Sequence, residues 1–410
     1  MAAWPAGEQL IDIDPEGDLI LKIGGISSVQ QGANDRTIVD GSERNDNDEG
    51  GDVRCLRVTS KVMKLASTVF KTMLQAERFL EGWLALNEDI PPYLALPDDD
   101  PAAMTTLCRI IHSKQKPSYA TIISDILNLA ILTDKYDCVP AIQPWFTSCL
   151  NQELSTSGSI NVADLPHMLS AAYLFDDRTS FYGLTMAAIK SLPMHNSSTN
   201  ALNRALLPTI ASELVVEDVR HHSTLKTTRQ ERLRHLVSNL HQSIYHLLNE
   251  KSSIRKTRVD VKDLDGAGLG IWGLCKGQAS RVGILTSALV AVRLWPHDDV
   301  PTYSLAYAIH LALRIAETCE TDGAASGIKY ELCGKTNCVS CSMNWKESLR
   351  TAVRRSEESI AGICLTCFKK GNKPDRLTEK CKYHCGTYPA TTWTVDVSQL
   401  HHSGGYFDEQ

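Results

Sequence analysis

Apolar and polar positions first fall into a clear rhythm near the N-terminus. In Asp18-Leu-Ile-Leu-Lys-Ile-Gly-Gly25, Leu19, Leu21 and Ile23 stand against Ile20 and Lys22. This is the period-two pattern of a strand with one apolar face, and Gly24-Gly25 punctuates its end. Residues 26–52 are polar and acidic, with Asp40, Glu43, Asp46, Asp48, Glu49 and Asp52; they have little to bury and predict a mobile loop. A second short strand is predicted over Cys55–Val58. The period then changes: Val62, Leu65, Ala66, Val69, Phe70 and Met73 recur at helical spacing and mark one stripe facing a core. Ser60 is placed to cap that helix by accepting an orphan backbone N–H. Asp100-Pro101 is a second start signal, Asp as cap and Pro at the first helical position, with Met104, Leu107, Cys108 and Ile111 as the buried stripe. A third helix, Tyr119 to Tyr136, is apolar on most sides through Ile126–Leu132, which predicts a central position. Strands followed by helices of this length imply an α+β layer arrangement.

The pattern beyond Pro140 is helical. Leu165, Met168, Leu169, Ala172 and Phe175 share one face, and Pro208 suits the start of a long helix. Leu233, Leu236, Leu240, Ile244 and Leu247 repeat at about 3.5 residues, which admits either a coiled-coil seam or a helix packed on its own domain. Two further apolar helices are predicted over 282–293 and 304–315, joined through Pro296 and Pro301. The expected organisation is 12–140, an α+β domain; 141–255, a helical extension; 256–328, a second helical segment; 329–390, a Cys-rich module; and 391–410, a tail.

Composition narrows the function classes. The 410 residues carry a formal net charge of -6 and are 43% hydrophobic, enough for a real core and for two or three domains. There is no run of 18 or more uncharged apolar residues, so no membrane span is expected. Residues 1–9 show no secretory signal, and a cytoplasmic or nuclear location follows as the expectation. Residues 329–390 hold 12 Lys/Arg against 6 Asp/Glu, leaving the remainder at -12: a basic segment on an acidic chain. His221-His222 and His401-His402 are adjacent pairs, which diverge on a helix and chelate poorly. Gly266-Ala-Gly-Leu-Gly270 lacks the strand before it and the Gly-Lys-Ser/Thr after it that a phosphate loop needs. With no Ser/His/Asp order and no paired carboxylates in context, no residue is assigned a catalytic role.

The 13 cysteines divide into two groups. Cys55, Cys108, Cys138, Cys149 and Cys275 lie in apolar contexts and read as small buried hydrophobes. The other eight lie late in the chain: Cys319, then Cys333-x4-Cys338-x2-Cys341, then Cys364-x2-Cys367, then Cys381-x2-His384-Cys385. In a reducing compartment disulfides are disfavoured, and two-residue gaps let paired thiolates curl around one tetrahedral zinc ion. Inert thiols are the alternative. Trp345, Leu349, Val353 and Ile360 predict a helix between Cys341 and Cys364, which separates those two knuckles. The primary zinc set is therefore Cys364, Cys367, Cys381 and His384. Cys333, Cys338 and Cys341 form a second cluster that needs a fourth ligand, with Cys385 or Cys319 available. Four protein ligands leave no open position for water, so the zinc would be structural. Lys369, Lys370, Lys373, Arg376, Lys380 and Lys382 surround the set and suit phosphate contact.

Asp18-Leu-Ile-Leu, Ser60–Leu74 and Leu129-Ala-Ile-Leu-Thr-Asp-Lys-Tyr136 together resemble a BTB/POZ domain of the fungal type, over about residues 12–140. The resemblance implies a short sheet capped by helices, followed by a helical extension, and a role in protein–protein interaction. It implies a homodimer or recruited partner, with Asp18 and Lys61 as a charged groove at the dimer interface; the alternative is that Asp18 pairs locally near the sheet edge. Phe79-Leu80-Glu81 resembles the hydrophobic–x–acid triplet with which BTB adaptors dock a cullin, Phe79 filling a pocket and Glu81 orienting it; an exposed turn is the alternative. Metazoan members carry His-Lys where this chain has Ser60-Lys61, and its 26–52 loop is longer. The expected function is an adaptor or scaffold, with a nuclear nucleic-acid-associated regulator built on the basic zinc module as the alternative.

Overall fold

The computed structural model describes residues 9–24, 53–75, 91–115, 125–157, 159–192, 206–208, 210–211, 224–249, 276–295, 303–318, 345–370 and 394–396. Among these, a small mixed four-stranded sheet near the N-terminus is followed by a largely helical region. The chain divides into two compact units, residues 1–181 and 182–410.

The first unit opens with β1 (Gln9–Asp12), β2 (Leu19–Ile23), β3 (Arg54–Val58), α1 (Ser60–Ala66), α2 (Thr68–Met73) and β4 (Tyr93–Leu96). The sheet order is β1-β3-β2-β4. β2 runs antiparallel to β3, with Leu21 opposite Leu56, whereas β1 is parallel to β3 and β4 is parallel to β2. β2 is interior, and this explains why its alternation is imperfect: Ile20, on the face opposite Leu19 and Leu21, is buried as well. β1 and β4 are four-residue strands without a strong period of their own, and the sequence pattern did not mark them. Gly24 ends β2 at φ 80°, a left-handed conformation that favours glycine.

The apolar stripe expected behind Ser60 is divided between two helices, and of its residues only Phe70 is buried; Val62, Ala66, Val69 and Met73 are half-buried and Leu65 is exposed, while Met63, outside the stripe, faces the core. Ser67 has extended backbone and breaks the run; its hydroxyl accepts from the Phe70 N–H at 2.9 Å and so caps α2. Phe70 and Met63 are fully buried, each contributing about 1.5–3 kcal/mol through removal from water. α3 (Pro101–Ile111) starts as expected, with the Asp100 carboxylate accepting from the Ala103 N–H at 2.6 Å. α4 (Ile126–Lys135) is the described part of the third helix. α5 (Val139–Ser157), the short strand β5 (Ser159–Asn161) and α6 (Leu165–Leu174) follow. α3 packs on α1, β3, α4 and α5, and α4 packs on α6. The boundary expected after residue 140 falls inside α5, so the first unit reaches beyond it. Cys55, Cys108, Cys138 and Cys149 are buried, as their apolar contexts predict. Desolvation pushes the Cys138 thiol up to about 11.

α7 (Arg178–Ser191) crosses the division between units. The second unit contains α8 (Thr224–Asn249), α9 (Lys276–Ala291), α10 (Leu305–Thr318), α11 (Trp345–Glu358), α12 (Leu365–Lys369) and the three-residue strand β6 (Thr394–Asp396). Leu233, Leu236, Leu240 and Ile244 are buried as α8 packs on α11 and α10. The repeat therefore serves packing within its own unit, one of the two readings open at the sequence level. No helix among the described residues is long and apolar enough to cross a membrane.

Candidate interaction surface

The N-terminus of α1 is held from the sheet side. Ser60 does not cap the helix, because it is already the first helical residue and Thr59 occupies the cap position without a side-chain bond to the helix. Asp18 takes that role from across the sequence: its carboxylate accepts from the Ser60 N–H at 2.6 Å and from the Ser60 hydroxyl at 2.8 Å. An anionic group at the positive end of a helix is favourable. Asp18 is thus engaged locally at the start of α1, although it is exposed. Lys61, the other residue expected in the groove, is also exposed.

A second carboxylate braces the same corner. The Thr59 hydroxyl donates to Asp14, whose other oxygen accepts from the Glu16 N–H at 3.2 Å. The Thr59 N–H donates to His112 Nε2 at 3.1 Å, and His112 Nδ1 lies 2.9 Å from the Cys108 carbonyl. That pair of contacts requires the imidazole proton on Nδ1. The Thr59 hydroxyl and then the Glu16 N–H hold the Asp14 carboxyl below its ordinary value. A carboxylate depressed on folding contributes stability above its unfolded pKa, about 3.9, and loses it as pH falls through the folded value. Thr59→Val is therefore expected to lower stability at pH 6 and to narrow its gap to wild type as the pH drops below about 4; equal gaps at pH 6 and pH 3 in urea melts would contradict this.

The outward side of α1 carries Leu65, 80% exposed, while Met63 beneath it is fully buried. The sequence stripe assigned Leu65 to the core, and the structure corrects this: α1 turns Met63 inward, and Leu65, two positions on and about 200° round the helix, faces out. Phe79 and Glu81 lie outside the described residues.

In the second unit, Cys364 caps α12 and Cys367 lies within it, and both are buried. A cap residue and the residue three positions on share one side of a turn, a spacing that fits two thiolate ligands of one metal. Cys381, His384, Cys333, Cys338, Cys341 and Cys385 lie outside the described residues, as do residues 26–52, both histidine pairs and Gly266–Gly270. Among the described residues no group of three or more His, Cys, Asp or Glu side chains converges for a metal.

One cluster escaped the sequence reading. Asp99 is buried, with Lys135 Nζ donating to it at 2.6 Å and the Tyr136 hydroxyl donating to its other oxygen. Burial and then the Asp99 contact push the Tyr136 hydroxyl well above the usual phenol range. Lys135 and Tyr136 were in view as part of a helix, but nothing local to Asp99, one of three consecutive aspartates, marks which of them turns inward.

No family model, curated protein or solved structure matches the chain.

Proposed function

We propose that the chain is a protein–protein interaction adaptor whose first unit, a BTB/POZ-type fold, docks a second copy of itself through the outer side of α1. The observation that carries this reading is Leu65, 80% exposed on a helix that buries Met63 in the core. Covering Leu65 with a second copy would remove its side chain from water, a gain of about 1.5–3 kcal/mol per leucine. The exposed Lys61 on the same helix and the carboxylates of Asp14 and Asp18 at its start supply a polar border. Sedimentation equilibrium of the full chain is expected to give a dimer mass, and Leu65→Asp to shift it to monomer with unchanged helicity. A monomeric wild type would sink the dimer.

Recruitment of a cullin by Phe79 and Glu81 belongs to the same reading; a pull-down in which Phe79→Ala leaves cullin retention unchanged would dispose of it. The adaptor would also hold structural zinc. Cys364 and Cys367 supply two soft, buried donors, and Cys381 and His384 complete the set, with Cys333, Cys338, Cys341 and Cys385 as the second cluster. Elemental analysis is expected to give at least one zinc per chain, with loss of one in Cys364→Ser/Cys367→Ser; a metal-free wild type would remove the metal. A second reading, a nucleic-acid-associated regulator, is favoured by the division of charge. The first unit has 14 Lys/Arg against 26 Asp/Glu, whereas the second has 28 against 22.

A further inference from the structure

We infer that the outer face of α10 is a stacking platform for single-stranded nucleic acid, with Tyr307 and His310 under the bases and Arg293 and Arg314 at the phosphates. The inference rests on the second reading above and gives it a site in the helical part of the second unit. α10 has two distinct sides. Leu305, Ala308, Ile309, Ala312, Ile315 and Ala316 are buried, and the helix packs on α8, α9 and α11. Tyr307, His310 and Arg314 are exposed. At about 3.6 residues per turn they fall within about 60° of one another, opposite the buried set.

The rings form a contiguous row. Tyr303, just before α10, meets Tyr307 edge to face with centroids 5.4 Å apart, and Tyr307 lies 6.4 Å from His310 with the ring planes 26° apart. Tyr307, in the middle of the row, is 50% exposed. The row is anchored to the end of α9, because the Tyr303 hydroxyl donates to the Val292 carbonyl. That bond brings the next residue alongside: the Arg293 charge acts on the Tyr303 phenol. Arg293 has a φ of 56°, the left-handed position past a helix end that glycine usually fills. It is exposed and pairs with no carboxylate among the described residues. The one acidic residue of α10, Glu317, is engaged by Arg350 at 3.4 Å. Rings and cations thus share one surface.

A face of this make-up selects a ligand with flat apolar groups and a negative charge beside each. Bases stack on aromatic side chains in a sequence-tolerant way, with arginine neutralising the backbone next to them, and a single strand offers base faces that a duplex keeps stacked. An acidic peptide would satisfy Arg293 and Arg314 without using the rings. A proline-rich peptide would use the rings without using the cations.

The test uses the full chain and a fluorescein-labelled oligothymidylate, titrated at several salt concentrations, with random-sequence duplex DNA and a polyglutamate peptide as comparison ligands. Wild type is expected to bind the single strand more tightly than either. Tyr307→Ala and His310→Ala are each expected to weaken binding about fivefold or more, with the log–log salt slope unchanged, because each removes a ring and no charge. Arg293→Gln is expected to reduce that slope by about 0.7, and Tyr307→Phe to bind as wild type does. Tyr93→Ala, on β4 of the first unit and 42% exposed, is expected to leave binding unchanged, and circular dichroism checks that every variant is folded. No binding of either nucleic acid by wild type at low salt overturns both the nucleic-acid reading and the platform. Single-strand binding that survives Tyr307→Ala and His310→Ala, or duplex bound as tightly as the single strand, overturns the platform and spares the reading. Polyglutamate bound as tightly as the oligothymidylate assigns the face to an acidic protein and likewise overturns the platform.

Discussion

Replacing Gly362 with alanine is expected to cost about 3 kcal/mol of stability or more. A β-carbon at this position lies 2.0 Å from the Tyr182 carbonyl oxygen and 2.8 Å from its carbonyl carbon. Both are backbone atoms, so no change of rotamer relieves the overlap. The segment also cannot move away cheaply. The next residue, Ile363, donates its N–H to the Thr185 hydroxyl at 2.8 Å in a buried bond. Ile360, Cys364, Leu365 and Phe368 around it are all buried. Displacement would break that bond and return this apolar surface to water. The same substitution at Gly283, within α9, is a built-in control. A β-carbon there meets nothing within 4 Å, and alanine is favoured over glycine inside a helix by roughly 0.5–1 kcal/mol. One chemical change should therefore have opposite signs at two sites in one unit. Urea unfolding of both variants reads it, and coincident midpoints would show that the approach to Tyr182 is not tight.

The parts of the fold that were legible in the sequence are those fixed by strong local chemistry. Asp100-Pro101 carries its own start signal, and the cap forms as written. The strand at Leu19 and the stripe at Leu165 are dense enough in apolar residues to read without context. What escaped depends on residues distant in the chain. A single helix behind Ser60 was a fair reading of the spacing, but Ser67 finds a tertiary partner, donating to the Tyr136 carbonyl at 2.5 Å, and that bond fixes the break. Ser60 looked like a cap because serine is a good one. It was displaced because Asp18, 42 residues earlier, reaches the same N–H with a full charge. Likewise β1 and β4 are short, and what makes them strands is pairing with β3 and β2 rather than their own composition. On the candidate surface, Asp18 and Lys61 were visible as charges. The exposure of Leu65 was not, since periodicity alone places it in the buried stripe.

Asp99→Ala is the second large effect, expected at about 2–3 kcal/mol. The Asp99 side chain is 2% exposed, and its carboxylate joins the turn between β4 and α3 to the end of α4 through Lys135 and Tyr136. Tyr136 carries the connection onward: its ring stacks on Phe70 at 4.6 Å and 10°, and its carbonyl accepts from Ser67, the cap of α2. Removing the carboxylate strands a phenol hydroxyl in the core. Loss of one partner from a buried ion pair costs roughly 3–5 kcal/mol when the other stays buried. Here the Lys135 side chain is 48% exposed and regains water, which lowers the expected figure. Tyr136→Phe keeps the Asp99–Lys135 pair and the stacked ring, so about 1 kcal/mol is expected. Asp98→Ala, next door but exposed, should be close to neutral. If urea unfolding ranks Asp98→Ala level with Asp99→Ala, the network contributes nothing and the turn is held by packing alone. The comparison with Leu65→Asp then separates fold from docking. A substitution that loosens Asp99 lowers the unfolding midpoint of the first unit at any protein concentration. One that removes an exposed leucine from α1 leaves the monomer's midpoint in place and abolishes only the part of the stability that grows with protein concentration.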